Sequence, residues 1–256
     1  MINGRGTLHG MSSIDYLAGS IYHMVRFDNL QSIFQRRALL SKERVIQEKI
    51  NYQSIAYEEV QNLRDRIFIW DPSKKEFRTL HSYVPFYFAT YTPMLYVQYK
   101  KGIQNEIVFF EASRSILKDQ GTLFTDGNAS NQQLAKYANE VVEIVPATVA
   151  RDTCRRRYRP NGPNGANPNR TDFFSDVAFL ERLKWEVIND RWSEDVDKIR
   201  IRHAEVLIPD LLPLGRIQGI SVKTQNMAQA VNALIAECGL EERIPSAVSR
   251  PQLYIH

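Results

Sequence analysis

The chain has 256 residues, 43% of them hydrophobic and 24% charged, with a formal net charge of +4 and a pI near 9.0. These values are ordinary for a globular protein and allow one domain with a sizeable core; the mild basic excess points weakly to a polyanionic partner. Its two cysteines, Cys154 and Cys238, fit no metal or redox motif, no basic-then-apolar leader opens the chain, and no apolar run nears the roughly 18 residues of a membrane span, so the expected setting is a reduced cytoplasm with no membrane anchor.

Residues 1–20 read as a soft leader or first helix. Ile21–Val25 is a short strand whose His23, near the strand end, is either a cleft-facing group or a satisfied core histidine. Asp28 can cap a following helix carrying Leu30, Ile33 and Phe34. Residues 41–53 lack periodicity and read as a loop with helical pieces. A helix is expected over 54–67, with the apolar stripe Ala56, Val60, Leu63 and Ile67 beside a polar stripe of Tyr57, Gln61 and Arg64. Residues 68–82 read as a charged connector.

Tyr83–Ala89 is an aromatic strand, and Thr92-Pro93 starts a helix, with threonine at the cap and proline at the first position. Glu106–Glu111 is a third strand, Ser113–Leu117 a helical turn, and Leu123–Asn128 an extended piece ending in a turn. A helix follows over 130–143. Between residues 145 and 172 a basic insertion is expected: Arg151, Arg155, Arg156, Arg157, Arg159 and Arg170 sit among Asn, Gly and Pro, with Tyr158 between. Arginines with an interleaved aromatic hold phosphates and stack bases, although a solvated loop has the same composition.

Phe173–Asn189 has the spacing of an amphipathic helix, and 190–198 leads into Ile199–Ile208, which reads as a β-branched-rich strand ended by Pro209. On that strand Glu205 shares a face with Ile199, Ile201, His203 and Leu207. A carboxylate on a largely apolar face is costly without a partner or a task; the bland alternative is a strand-end glutamate, solvated or paired with Arg202. Ile217–Lys223 is a further strand, Met227–Glu237 a helix, and 252–255 a final edge strand.

The serine-hydrolase elbow, the zincin helix and clustered Cys/His ligands are all absent. One glutamate, one strand histidine, one helix arginine and an aromatic strand suit a reaction needing ring stacking, charge stabilisation and one carboxylate. Cleavage of a nicotinamide–ribose bond, through an oxocarbenium-like centre, is such a reaction.

Several runs, taken together and in order, resemble the DarT family of DNA ADP-ribosyltransferase toxins. They are Ile21-Tyr22-His23 with Asp28-Asn29-Leu30, Ser54-Ile55-Ala56-Tyr57 with Arg64, Val84-Pro85-Phe86-Tyr87-Phe88 with Pro93-Met94-Leu95-Tyr96, Phe124-Thr125-Asp126, and Ala204-Glu205. The resemblance implies an α+β ADP-ribosyltransferase fold, a split, mostly antiparallel sheet around an NAD cleft with peripheral helices, in one domain over 1–256. It implies NAD as donor, no metal, single-stranded DNA as acceptor, and a macrodomain antitoxin (DarG-like) as partner.

By the same resemblance Glu205 is the catalytic acid and base, and Arg64 supports catalysis near the phosphates and the attacking nucleotide. His23, Asn29, Tyr57, Tyr87 and Met94 contact NAD, and the 41–53 loop closes over it. Arg200, Arg202 and His203, just before Glu205, are candidate DNA contacts, with Arg155, Arg156, Arg157 and Tyr158 as a further grip. The chain departs from the family pattern at Val25-Arg26, at Thr90-Tyr91-Thr92 and at His203. Family members modify thymine or guanine, and these departures favour guanine. The same chemistry on RNA or protein, and a non-catalytic nucleic-acid binder with a structural Glu205, are the alternatives.

Overall fold

The computed structural model describes residues 13–71, 74–131, 142–146, 171–191 and 193–256. Helix α1 (Ser13–Leu17) precedes β1 (Ser20–Arg26), so much of the expected leader, 1–12, and the basic segment 147–170 lie outside the described residues. A single 3-10 turn, Phe27–Asn29, leads into α2 (Leu30–Arg36); Asp28 forms an ion pair with Arg26 at 2.9 Å rather than capping the helix. Strand β2 (Ala38–Leu40), α3 (Lys42–Gln47) and α4 (Glu58–Arg64) follow. Helix α4 is shorter than the expected 54–67, because Tyr57 is extended and the polar run before it forms coil.

The expected connector 68–82 is instead a hairpin of β3 (Ile67–Asp71) and β4 (Glu76–Thr79). Its turn carries Lys74 and Lys75, with Lys75 in the left-handed region at φ 54°, and charge in a tight turn reads as a linker when only composition is weighed. Strand β5 (Tyr83–Tyr87) feeds α5 (Pro93–Lys100), whose Thr92 hydroxyl accepts the Leu95 N–H at 3.2 Å, as the cap signal predicts. Then come β6 (Ile107–Ser113), β7 (Leu123–Thr125), β8 (Val142–Ile144) and β9 (Phe173–Phe174). The expected helix over 130–143 falls largely outside the described residues, and its last positions are strand β8.

The expected helix over 173–189 is broken into β9, a 3-10 segment (Val177–Arg182) and α6 (Trp185–Ile188). Tertiary contacts override the helical spacing: Phe174 stacks on Phe124 and Phe179, and the Asp176 carboxylate accepts the Ala178 N–H at 2.9 Å. Residues Val196–Ile201 form α7, capped by Asp195, and strand β10 begins only at Glu205 and ends at Pro209. The strand expected from Ile199 is therefore a helix and a turn up to Ala204. Of the residues expected to share a face with Glu205, only Leu207 lies in the same strand. Strands β11 (Leu211–Pro213) and β12 (Ile217–Val222), helix α8 (Gln225–Glu237) and β13 (Ala247–Ser249) complete the chain; 252–255 is not a strand, and β13 and β9 are the edges of the main sheet.

The main sheet has eight strands in the order β13-β12-β6-β1-β5-β10-β7-β9, antiparallel except for the β12–β13 pair. Strands β1 and β6 pair over their full length, but β1 and β5 meet only at Tyr22 and Tyr87. The sheet is thus split between β1 and β5. Pro85 sits on that line. Its carbonyl faces His23, so its missing N–H faces the same open side and breaks no ladder. One face is covered by α2 and α8, which bury Leu30, Phe34, Val231 and Ile235 against Phe86, Val108, Phe110, Val206 and Ile220. Among the described residues no helix is long and apolar enough to cross a membrane.

Candidate active site

Glu205 and Tyr87 are direct cross-strand partners on β10 and β5; Tyr87 faces Tyr22 on β1, and Tyr22 faces Glu111 on β6. Directly opposed residues share a sheet face, so Glu205, Tyr87, Tyr22 and Glu111 form a polar row that crosses the split. Glu205 is 2% exposed. A carboxylate so buried needs donors, and it has them: Arg64 Nη1 donates to Oε2 at 3.0 Å and Oε1 at 3.3 Å, and the Ala129 N–H donates to Oε1 at 3.1 Å. Arg64 ends α4 and is itself buried. The pairing of Glu205 with Arg202 does not occur.

Beside this ion pair lies a cavity of about 400 Å³, within the roughly 300–1,000 Å³ usual for small-molecule sites. His23, Asn29, Tyr57, Arg64, Tyr87, Met94, His203 and Glu205 all line it. The structure thus gathers every residue expected to act in catalysis or to contact NAD. The 41–53 loop forms one wall through Lys42, Val45, Tyr52 and Gln53, with Ser41 capping α3 at its start.

His23 lies in the middle of β1, not at its end, and its Nδ1 is 2.7 Å from the Pro85 carbonyl. Only an N–H can bond to that oxygen, so the proton sits on Nδ1 and the Nε2 lone pair is left as an acceptor. His203 repeats the arrangement, with Nδ1 3.1 Å from the Ile199 carbonyl and its ring 6.5 Å from Tyr87. Burial lowers both histidines to about 4, the carbonyl bond opposing it in each case. His81, on the same cavity wall and 3.2 Å from the Gln61 carbonyl on α4, is also lowered to about 4, by burial and then by Arg64 and Lys42. Burial raises the Tyr87 phenol well above its ordinary value, and Glu205 adds to the effect, so the ring stays neutral. Tyr83 is pushed up to about 12 by burial, with Arg78 opposing.

The lowered histidines set a pH dependence. The unfolded chain takes up protons near 6.5 and the folded chain only near 4, so stability is complete above about pH 6.5 and falls as pH drops toward 4. Thermal melts at pH 7.5 and 4.5 are expected to show this fall. In His23→Gln the fall should be smaller; an equal fall would mean that His23 is not held neutral.

The Asn29 amide is committed to the loop: Nδ2 donates to the Gln53 carbonyl at 2.9 Å, and Oδ1 accepts the Gln53 N–H at 2.7 Å. It pins the cavity wall to the start of α2. Tyr57 is half exposed, with Lys101 Nζ 4.5 Å above its ring.

The arginines before Glu205 are placed otherwise than expected. Arg202 is buried, and its Nη2 donates to the carbonyls of Tyr91 at 2.6 Å and Arg191 at 2.8 Å. Arg200 bonds Asp197 at 3.0 Å and lies 3.5 Å from Asp126. Both guanidinium groups are committed inside the fold, because the chain before Glu205 is a capped helix and a turn rather than an exposed strand. His203 alone of this group reaches the cavity. Arg155, Arg156, Arg157 and Tyr158 lie outside the described residues. The sequence reading also missed the Ala129 N–H and the Thr125 hydroxyl, which accepts the Glu205 N–H at 2.9 Å. A backbone donor leaves no mark in residue identity, whereas Thr125 lay within a motif whose role was not apparent.

The family described as "ssDNA thymidine ADP-ribosyltransferase, DarT" matches residues 22–159 and 161–254. A DNA ADP-ribosyl transferase of Thermus sp. (strain 2.9) is 26% identical over 242 residues, 91% of this chain and 95% of that protein. Two structures of Thermus sp. 2.9 DarT share the fold. The complex with ADP-ribosylated ssDNA gives a TM-score of 0.70 at 24% identity, over 92% of this chain and 96% of that one. The complex with NAD+ gives 0.67 at 23%, over 92% and 97%. Thermosipho africanus DarTG in complex with ADP-ribose gives 0.63 at 19%, over 92% of this chain and 50% of that one. The family description names thymidine, against the guanine favoured by the sequence departures. With the family matched along nearly the whole of 22–254, the chain belongs to the DarT ADP-ribosyltransferases.

Proposed function

We propose that this chain acts as one ADP-ribosyltransferase domain that takes NAD as donor and transfers ADP-ribose to a thymine base in single-stranded DNA. The observation that carries this reading is the buried Glu205 carboxylate, held by Arg64 and the Ala129 N–H at the wall of an aromatic-lined cavity. The chemistry of the lining suits the donor: Tyr87 offers a neutral ring for the flat nicotinamide, and His23 Nε2 offers an acceptor for a ribose hydroxyl. The Thermus sp. 2.9 complexes with NAD+ and with ADP-ribosylated ssDNA support both ends of the reaction.

In the proposed step the bond between the nicotinamide nitrogen and ribose C1 breaks, and its electron pair leaves with nicotinamide. Positive charge develops on the ribosyl centre, and the Glu205 carboxylate beside it offsets that charge. The ring N–H of thymine attacks C1, the new N–C bond forms, and Glu205 accepts the displaced proton. Arg64 keeps the carboxylate pointed at the cavity. His203, with Nδ1 bonded to Ile199, presents Nε2 as an acceptor toward the incoming base. A paired, stacked base cannot reach a carboxylate as buried as that of Glu205, which accounts for the single strand. The DarTG relative supports a role as the toxin of a pair whose partner is a DarG antitoxin, a macrodomain by the family resemblance.

The test uses oligonucleotides containing either thymine or guanine as the only base with a ring N–H, each single-stranded and annealed to its complement, with NAD. A slower-migrating product is expected only from the thymine-containing single strand. Modification of the guanine strand, or equal modification of duplex and single strand, would contradict the reading.

A further inference from the structure

We propose that Thr125 and the tight turn over residues 125–131 are a positioning device for Glu205. This rests on the reading of Glu205 as the reacting carboxylate. The backbone ladder between β10 and β7 ends at the pair Val206 and Phe124. One position further the Thr125 side chain takes over: Oγ1 accepts the Glu205 N–H at 2.9 Å and donates its proton to the Gly127 carbonyl at 2.7 Å. Thr125 is fully buried. A hydroxyl can accept and donate at once, which neither an apolar group nor a carboxylate does. The bond to Gly127 folds the chain back, and two residues later the Ala129 N–H reaches Glu205 Oε1 at 3.1 Å. One side chain therefore fixes both ends of Glu205, its backbone directly and its carboxylate through the turn.

The turn is also held from outside. Asn128 closes it internally, its Oδ1 accepting the Ser130 N–H at 2.9 Å and its carbonyl the Asn131 N–H at 2.9 Å. The Arg200 carbonyl accepts the Asn128 N–H at 3.0 Å, and the Arg200 guanidinium lies 3.5 Å from Asp126. The Asp126 carboxylate accepts the Asp172 N–H at 2.9 Å. Gly127 is closely packed: a Cβ there would displace the Arg200 guanidinium and lie 3.1 Å from both the Arg200 carbonyl and Thr171 Oγ1. Arg200, expected from the sequence to touch DNA, thus acts as an outer clamp on the turn.

The experiment measures kcat and KM for NAD and for a thymine-containing single strand in Thr125→Val, Thr125→Ser, Arg200→Gln and Glu205→Gln, alongside thermal melts. Thr125→Val keeps the shape and loses the hydroxyl; its kcat is expected to fall about 10- to 100-fold, the scale of a misplaced reacting group, with KM for NAD little changed. Thr125→Ser should restore most of kcat. Arg200→Gln should lower kcat without raising KM for DNA, and it carries the test if Thr125→Val does not fold. Parental kcat in folded Thr125→Val, equal loss in the serine and valine variants, or an Arg200→Gln defect confined to KM for DNA would overturn the proposal. An active Glu205→Gln would overturn the underlying reading of Glu205 instead; an inactive one beside a fully active Thr125→Val would overturn only the positioning role.

Discussion

Glu205→Gln is expected to lower ADP-ribose transfer by on the order of 10²- to 10⁴-fold, the range for loss of a general base. Glutamine has nearly the same shape and can still accept from Ala129 and Arg64 at the Oε1 position, but it carries no charge and takes no proton. Its amide nitrogen would face Arg64 Nη1 where Oε2 now accepts at 3.0 Å, donor against donor, at a cost of about 1–3 kcal/mol. The variant should therefore fold, melt somewhat lower and be nearly inactive. Circular dichroism with a single-turnover transfer assay checks both parts. Substantial activity in the folded variant would place the proton acceptor elsewhere.

Arg64→Met is expected to damage stability and activity together. It leaves the carboxylate of Glu205, 2% exposed in the parent, with the Ala129 backbone N–H as its remaining donor among the described residues. Breaking a buried pair costs about 3–5 kcal/mol, and the lower end applies here because the pair borders a cavity open to water. At roughly 2–4 °C per kcal/mol for a chain of this size, the melting temperature should fall by about 6–12 °C. Arg64→Lys should do less harm, since an ammonium keeps the charge while losing the planar donor array. The double variant Arg64→Met/Glu205→Gln removes both charges and should be more stable than Arg64→Met alone, yet inactive. Additive destabilisation in the double variant would mean that the two residues do not interact energetically.

The legible parts of the fold are those where one local signal dominates. Short apolar and aromatic runs at Ile21–Val25 and Tyr83–Tyr87 gave β1 and β5, and Thr92-Pro93 gave the start of α5. The 3.6-residue spacing of Ala228, Val231 and Ile235 gave α8. The failures have two causes. Helix α7 is 6 residues long, too short for its period to show, and Ile199 and Ile201 mimic a strand. Over 173–189 the apolar spacing is helical, but Phe173 and Phe174 pair with Thr125 and Phe124, a contact across the fold that no local window contains.

The site was legible through resemblance more than through pattern. Glu205 and Arg64 lie 141 positions apart in sequence, so no spacing rule joins them. The resemblance pointed to Arg200 and Arg202 by their place before Glu205, which does not reveal that Arg202 donates to backbone carbonyls within the fold or that Arg200 pairs with Asp197. The mild excess of positive charge in the whole chain does not say which arginines face solvent.

The central claim is that Glu205 drives transfer of ADP-ribose from NAD to a thymine base in single-stranded DNA. Its most direct test is mass spectrometry of nucleosides released from a mixed-sequence single strand after incubation with NAD and either the parent protein or Glu205→Gln. An ADP-ribosylated thymidine from the parent alone is the predicted result. An adduct on another nucleoside, equal adducts from both proteins, or no adduct from folded parent would contradict it.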